Sequence, residues 1–262
     1  MQIRNKVFIV TGGGNGIGRH VTFQLLARGA RVAAVDLSED ALDETRTLAR
    51  AGESLSTHVL NVADDSAVQQ LPAAVQLVHG QIDGVVNVAG IIHRFAPLAE
   101  LSRAELERIV DVNFWGTVNT TLAVLPILRE RPTASIVNIS SLSGLLAFAG
   151  QGFYGATKAA VKQFSEALFE ELIDTGVTVT TVFPGNISTN ISGNSGVTMI
   201  DAGGRKVRST TPEQTAQQIV EGIEKDSFRV LVGSDARLLD LLSRLAPKRA
   251  AMLIAKQMKS VM

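Results

Sequence analysis

Thr11-Gly12-Gly13-Gly14-Asn15-Gly16-Ile17-Gly18 comes straight after the apolar run Lys6-Val7-Phe8-Ile9-Val10 and opens a segment of helical spacing, 17–28. Glycines at these places let the chain turn tightly and let its backbone approach a pyrophosphate. The helix start adds free N–H groups and the positive end of a dipole. Asp36 closes the next apolar run, 18 residues beyond Gly18. A carboxylate there accepts hydrogen bonds from both ribose hydroxyls of NAD and repels the extra phosphate of NADP. The turn holds no Arg or Lys, and Leu37 follows Asp36; Arg19, one residue past the turn, is the remaining candidate for a phosphate contact. NAD is expected over NADP.

The rest of the chain continues the alternation. Strand-like runs, rich in Val and Ile, occupy 6–11, 31–36, 55–61, 83–88, 134–140, 177–183 and 228–232. Most are apolar on both sides, as strands buried in a parallel sheet must be. Helical spacing fills 17–28, 39–50, 64–78, 102–130, 153–175 and 212–225. Strand and helix in turn predict an α/β fold, a doubly wound parallel sheet of about seven strands with helices on both faces. No repeat or linker divides the chain, so 1–262 reads as one domain. Segment 188–210, rich in Gly, Ser, Thr and Asn, reads either as a flap over a pocket or as a surface loop.

Composition narrows the function classes. Hydrophobic residues make up 45% and charged residues 19%, which suits a packed core rather than disorder. Lys+Arg and Asp+Glu balance at 25 each, which argues against a nucleic-acid partner. With no cysteine, there is no disulfide, thiolate nucleophile or Cys-ligated metal. His20, His58, His79 and His93 lack metal-ligand spacing, and no metal is expected. Met1 leads directly into a strand pattern without the signature of a signal peptide, and no apolar run reaches the length of a spanning helix. A cytoplasmic protein is the expectation.

Tyr154 and Lys158 stand four apart in Tyr154-Gly155-Ala156-Thr157-Lys158, on one face of a helix. A free tyrosine, with a pKa of about 10, is a poor base at neutral pH. An ammonium beside it favours the phenolate and lowers that pKa. Lowering it to about 7 takes roughly 4 kcal/mol of differential stabilisation. A tyrosine so tuned passes a proton to or from an alcohol or ketone. The same spacing also arises where a tyrosine is merely half-buried in a helix.

Six ordered segments together resemble the short-chain dehydrogenase/reductases. Thr11 to Gly18 is similar to that family's glycine turn. Asn87-Val88-Ala89-Gly90 resembles its Asn-Asn-Ala-Gly, with Val88 in place of the second Asn. Asn113 fits its helix asparagine. Ser141, 13 residues before Tyr154, fits its serine better than the neighbouring Ser140. Tyr154 and Lys158 fit Tyr-x-x-x-Lys, and Pro184-Gly185 with Thr189 fits Pro-Gly-x-x-x-Thr.

The resemblance implies a Rossmann-type fold and a set of roles. Tyr154 is the acid/base; Lys158 lowers its pKa and binds the nicotinamide ribose. Ser141 positions the substrate oxygen, and Asn113 holds a water in a proton relay to Lys158. Gly12, Asn15, Gly16, Ile17 and Gly18 surround the pyrophosphate and adenine ribose. Asp36, with Leu37 beside it, meets the ribose hydroxyls. Asn61 and Val62 flank adenine; the family often has Asp where Asn61 stands. Asn87, Ala89 and Gly90 line the middle of the cofactor, and Pro184, Gly185, Ile187 and Thr189 lie at the nicotinamide.

His93, Phe95, Leu142, Phe148, Gln151 and the 188–210 flap are candidate pocket residues, mostly apolar. They suggest a hydrophobic secondary alcohol or ketone as the small-molecule substrate, with hydride moving to or from the nicotinamide. His93 reads equally as a rim residue. Competing readings are an NADP-dependent carbonyl reductase, a catalytically silent NAD(P)-binding regulator and a sugar-nucleotide epimerase. The intact Ser–Tyr–Lys set argues against the regulator, and the short stretch after Pro184-Gly185 against the epimerase. The helical C-terminal extension, 234–262, carries Arg237, Arg244, Lys248, Arg249, Lys256 and Lys259 against Asp235 and Asp240. Leu238, Leu241, Leu242 and Leu245 form a stripe, and Pro247 should divide the segment into two helices. Three placements compete: packing on a partner subunit in a homodimer or homotetramer, covering the substrate pocket, or touching an anionic membrane surface.

Overall fold

The computed structural model describes residues 1–188, 191, 195, 197 and 209–258. Seven strands appear where the apolar runs predict them: β1 Val7–Thr11, β2 Arg31–Asp36, β3 Leu55–Val59, β4 Gly84–Asn87, β5 Ala134–Ile139, β6 Val177–Pro184 and β7 Arg229–Val232. They form one all-parallel sheet in the order β3-β2-β1-β4-β5-β6-β7. Helices α1 Gly16–Ala27, α2 Glu39–Ala49, α3 Asp65–His79, α4 Arg103–Val110, α5 Gly116–Arg129, α6 Gly152–Glu171 and α7 Pro212–Glu224 connect them. Helices α8 Ser234–Leu245 and α9 Pro247–Met258 follow β7, divided at Pro247 as its missing N–H and fixed φ require.

Each face of the sheet carries its own apolar cluster. Phe8, Val10, Val86 and Val182 pack on one side with Leu25 of α1 and Ile219 of α7. On the other, Ile9, Val85, Ile136 and Val179 meet Leu71 of α3, Val124 of α5 and Leu168 of α6. All five residues of β1 are buried, so both faces of that strand contribute, at about 2 kcal/mol for each large side chain. Side-chain caps start several helices. Ser38 caps α2 and Asp64 caps α3. Ser102 with Glu105, and Thr211 with Gln214, form complete capping boxes.

Two helix expectations change. The predicted helix 102–130 is interrupted by a π-turn, Asp111–Trp115, between α4 and α5. Helix α6 ends at Glu171 rather than 175. Most of the proposed 188–210 flap lies outside the described residues. Its two ends meet nonetheless: Ile187 bridges Thr210, Ser188 N donates to Thr210 O at 3.0 Å, and Thr210 N donates to Asn186 O at 2.9 Å.

At the opposite end of the strands from the glycine turn, the fully buried Asp83 ties β1, β4 and β5 together. Its carboxylate accepts from Val7 N at 2.9 Å, Gln81 Nε2 at 2.6 Å and Arg131 Nε at 2.9 Å, with Lys6 Nζ at 3.3 Å. Ser135 N also donates to Asp83 O, at 3.0 Å. Removing the carboxylate leaves a buried N–H and two partly buried cations without their acceptor. Asp83→Ala should therefore lower unfolding free energy by about 3 kcal/mol in a urea titration, while cofactor affinity in the surviving folded protein stays at the parent value.

Candidate active site

A cleft of about 580 Å³ opens at the C-terminal ends of β1, β2 and β4. Gly12, Asn15, Gly16, Ile17 and Gly18 form its floor, and Asp36, Leu37, Asn61 and Val62 one end; Ala89 and Gly90 lie on its wall. The floor has no room for side chains. A Cβ on Gly18 would stand 2.0 Å from Gly12 O, and Gly12 itself has φ +67°, with a Cβ position 3.0 Å from Ala89 N. Thr11 Oγ1 accepts from Val88 N at 3.1 Å and Ala89 N at 3.2 Å, joining the turn to the end of β4.

Asp36 is held by two backbone N–H groups. Its Oδ2 accepts from Gly14 N at 2.9 Å and its Oδ1 from Ser38 N at 3.1 Å. Each oxygen keeps lone-pair capacity toward the cleft. Arg19 is already engaged. Its Nε donates to Gly14 O at 2.8 Å, and its guanidinium pairs with Glu44, whose carboxyl it holds below the usual carboxylate range. The arginine that read as a possible phosphate contact instead staples the turn to α2.

At the inner end, Gly90 connects the cleft to the buried polar centre. A Cβ there would lie 3.2 Å from Asn113 Oδ1 and 3.3 Å from Lys158 Nζ. Asn113 sits in the π-turn. Its Oδ1 accepts from Ile91 N at 2.8 Å, and its Nδ2 donates to Ile91 O at 2.9 Å and Thr157 Oγ1 at 3.2 Å. The extra residue of a π-turn re-aims one side chain, here onto the loop after β4. Lys158 Nζ donates to Ile139 O at 2.9 Å.

The two serines separate cleanly. Ser140 Oγ donates to Lys158 O at 2.7 Å, fastening β5 to α6. Ser141 instead hydrogen-bonds the Tyr154 hydroxyl, and its Oγ also accepts from Ser143 N at 3.1 Å. Ser141, Tyr154, Lys158 and Asn113 thus gather around the ends of β4 and β5. The pKa expectation turns out otherwise. Burial pushes the Tyr154 phenol up, and the Ser141 hydrogen bond only partly opposes it. Lys158 is pushed down to about 8 by burial. Desolvation penalises both charged forms, so the protein alone does not lower the Tyr154 pKa.

Several expected contacts lie off the cleft. The Asn87 side chain turns inward, donating from Nδ2 to Thr121 Oγ1 at 2.9 Å and Asn138 Oδ1 at 2.8 Å. Pro184 is buried and Ile187 packs on the core; neither they nor Gly185 line the cleft. Thr189 lies outside the described residues. His93 is buried, not a rim residue. Its Nδ1 donates to Arg94 O at 2.7 Å, and its backbone oxygen accepts from Gln151 Nε2 at 2.7 Å. His93 Nε2 and Gln151 Oε1 are both buried without a partner among the described residues. Leu142 and Phe148 are packed with the C-terminal helices through Ala236, Ala250 and Ile254. Helices α8 and α9 therefore buttress the segment that follows Ser141. Ile92 N donates to Ser195 Oγ at 2.9 Å, and Ile191 lines the cleft.

One wall was missed from sequence. Ala104, Glu107, Arg108, Asp111 and Val112 of α4 and the π-turn face the cleft. Their spacing is that of one helix face, and this was the signal available.

A model of the short chain dehydrogenases matches residues 6–199. The chain belongs to the short-chain dehydrogenase/reductase family. This dehydrogenase/reductase is 38% identical over 264 residues to SadH of Mycobacterium tuberculosis, named as an oxidoreductase, covering 97% of this chain and 95% of that one. It is 34% identical over 193 residues to the 3-oxoacyl-[acyl-carrier-protein] reductase FabG of Thermotoga maritima, covering 72% and 77%. Among solved structures, a short-chain dehydrogenase/reductase of Burkholderia phymatum in complex with NAD superposes with a TM-score of 0.85 at 24% identity, over 95% and 96% of the two chains. A serine dehydrogenase complexed with NADP+ gives 0.77 at 29% identity, over 86% and 93%.

Lys158 carries a pH signature. Its folded pKa, about 8, lies below its ordinary 10.5, so the unfolded chain binds more protons between those values. The ammonium's burial cost is fully present below pH 8 and is relieved as pH rises from about 8 toward 10.5. Lys158→Met should be more stable than the parent at pH 7, by about 2 kcal/mol after allowing for the lost hydrogen bond. Urea titrations at rising pH should show the gap closing between pH 8 and 10; a constant gap would remove the buried ammonium as its cause.

Proposed function

We propose that this short-chain dehydrogenase/reductase uses NAD to interconvert a hydrophobic secondary alcohol and its ketone. One observation carries the reading: Ser141 hydrogen-bonds the Tyr154 hydroxyl just beyond β5, where Lys158 Nζ meets Ile139 O, and Gly90 joins this centre to a cleft whose far end carries Asp36. The cleft fits a dinucleotide, since its glycine floor leaves backbone where a Cβ would collide. Asp36 offers two backbone-held carboxylate oxygens to the ribose hydroxyls, and Arg19 is withheld from a second phosphate by Glu44 and Gly14. The solved relatives that hold NAD and NADP+ support a nicotinamide cofactor.

A nicotinamide group supplies the hydride acceptor or donor when bound there. The protein's own work is proton handling and orientation. Tyr154 Oη takes the hydroxyl proton of the alcohol, or gives one to the ketone oxygen, and Ser141 holds that oxygen in place. The protein alone raises the Tyr154 pKa by burial, so a phenolate there needs a cation close by. Lys158, whose Nζ meets Ile139 O and lies beside Gly90, is the ammonium we assign to that task. Asn113 positions the loop after β4 through Ile91, and we assign it the next place in a proton route from Lys158. The buried acceptors His93 Nε2 and Gln151 Oε1 are available to a donor on the substrate, while Leu142 and Phe148, packed with the C-terminal helices, keep the segment after Ser141 apolar. Assembly as a homodimer or homotetramer belongs to the same reading. Trp115 and Leu122, seven apart on one helix face, are about half exposed and offer an apolar contact.

Tyr154→Phe keeps the ring and deletes the proton carrier. It should reduce NADH-linked turnover by about a hundred- to ten-thousandfold and leave NADH binding, read by fluorescence, near the parent value. Undiminished turnover removes Tyr154 as the acid/base. Asp36→Ala should weaken NAD by about ten- to a hundredfold and raise the relative preference for NADP in paired titrations. A parent protein that already favours NADP would overturn the cofactor assignment.

A further inference from the structure

Helices α8 and α9 form a hairpin with two unlike faces. The inner face, Ala236, Ala250 and Ile254, packs on Leu142 and Leu146 beside the site. On the outer face of α8, Leu238, Leu241 and Leu245 stand in one stripe, exposed by 67%, 55% and 77%. On α9, Arg249, Met252, Leu253 and Lys256 fall at helical spacing on an outward face, and Met252 is 64% exposed. Arg237, Arg244 and Lys248 lie among these apolar residues. Arg244 is paired with Asp240, but Arg237, Lys248, Arg249 and Lys256 make no ion pair among the described residues.

We infer that this hairpin docks the protein on an anionic lipid surface. Five large apolar side chains exposed next to four cations without an ion pair among the described residues form the pattern of a helix that lies in a membrane interface. The leucines enter the headgroup region while the cations meet lipid phosphates. Nucleic acid would satisfy the cations and leave the leucines in water. A second copy placed symmetrically on the same patch would set its cations against their own images. An anionic bilayer satisfies both halves.

Co-sedimentation of the full chain with vesicles tests this independently of catalysis. Vesicles of phosphatidylcholine mixed with phosphatidylglycerol should carry the protein down, those of phosphatidylcholine alone should not, and added salt should release it. Arg249→Glu with Lys256→Glu should cut binding by at least about tenfold. Leu241→Ser with Leu245→Ser should weaken it without altering the salt dependence. Both variants change exposed residues, so an unchanged circular-dichroism melt serves as the folding control. Absence of binding, or equal binding to neutral vesicles, overturns the inference. So does a change of oligomeric state in either variant with vesicle binding unaltered. None of these outcomes bears on whether Tyr154 moves a proton.

Discussion

The position of β1 between β2 and β4 is the constraint on which the rest depends. The chain leaves β1 toward β2 on one side, and later enters β4 on the other. The loops after β1 and β4 must therefore diverge, and a crevice opens between them at the carboxyl ends of the strands. The divergence is held at a fixed width by Thr11, whose hydroxyl receives two backbone N–H groups from the β4 side. The glycine turn can be that close to Ala89 only because Gly12 has no side chain. Packing, crevice and recognition of a long ligand thus come from one topological choice.

The second theme is dehydration. The polar centre lies where β4, β5, α6 and the π-turn converge; its lysine is buried and its tyrosine half-buried. Burial by itself disfavours both a phenolate at Tyr154 and an ammonium at Lys158. The pair is therefore poised against its own charging, and charge introduced nearby has a large effect in such surroundings. The polar chain Thr121–Asn87–Asn138–Ser165, linked by hydrogen bonds of 2.8 to 2.9 Å, braces the strands behind it. That brace explains why Asn87, read as a ligand contact, faces inward.

Much of the molecule was legible in the sequence. All seven strands could be read because a strand buried on both faces is a short unbroken apolar run with few competing patterns. Asp36 and the glycine turn were legible because their chemistry is local: a sharp turn, then a strand-end carboxylate. Ser141 was separable from Ser140 by spacing, and the structure gives the reason in their different partners. What stayed hidden depends on contacts between distant segments. Arg19 is captured by Glu44, 25 residues away, and no local pattern announces that. The α4 wall and the π-turn required knowing which helix face meets the crevice. The shift of the Tyr154 pKa is a property of burial, which a four-residue spacing cannot convey.

The bridge between Ile187 and Thr210 has a consequence for how such a protein can change. Because the two ends of the intervening segment are clasped to each other, the sheet sees the same junction whatever lies between. Lengthening a closed loop is thermodynamically cheap, about 0.6 kcal/mol for each doubling. The stretch of chain between the clasped ends can then change in length while β6 stays where the sheet holds it. Variation there and constancy of the sheet are, in this architecture, properties of two separable pieces of chain.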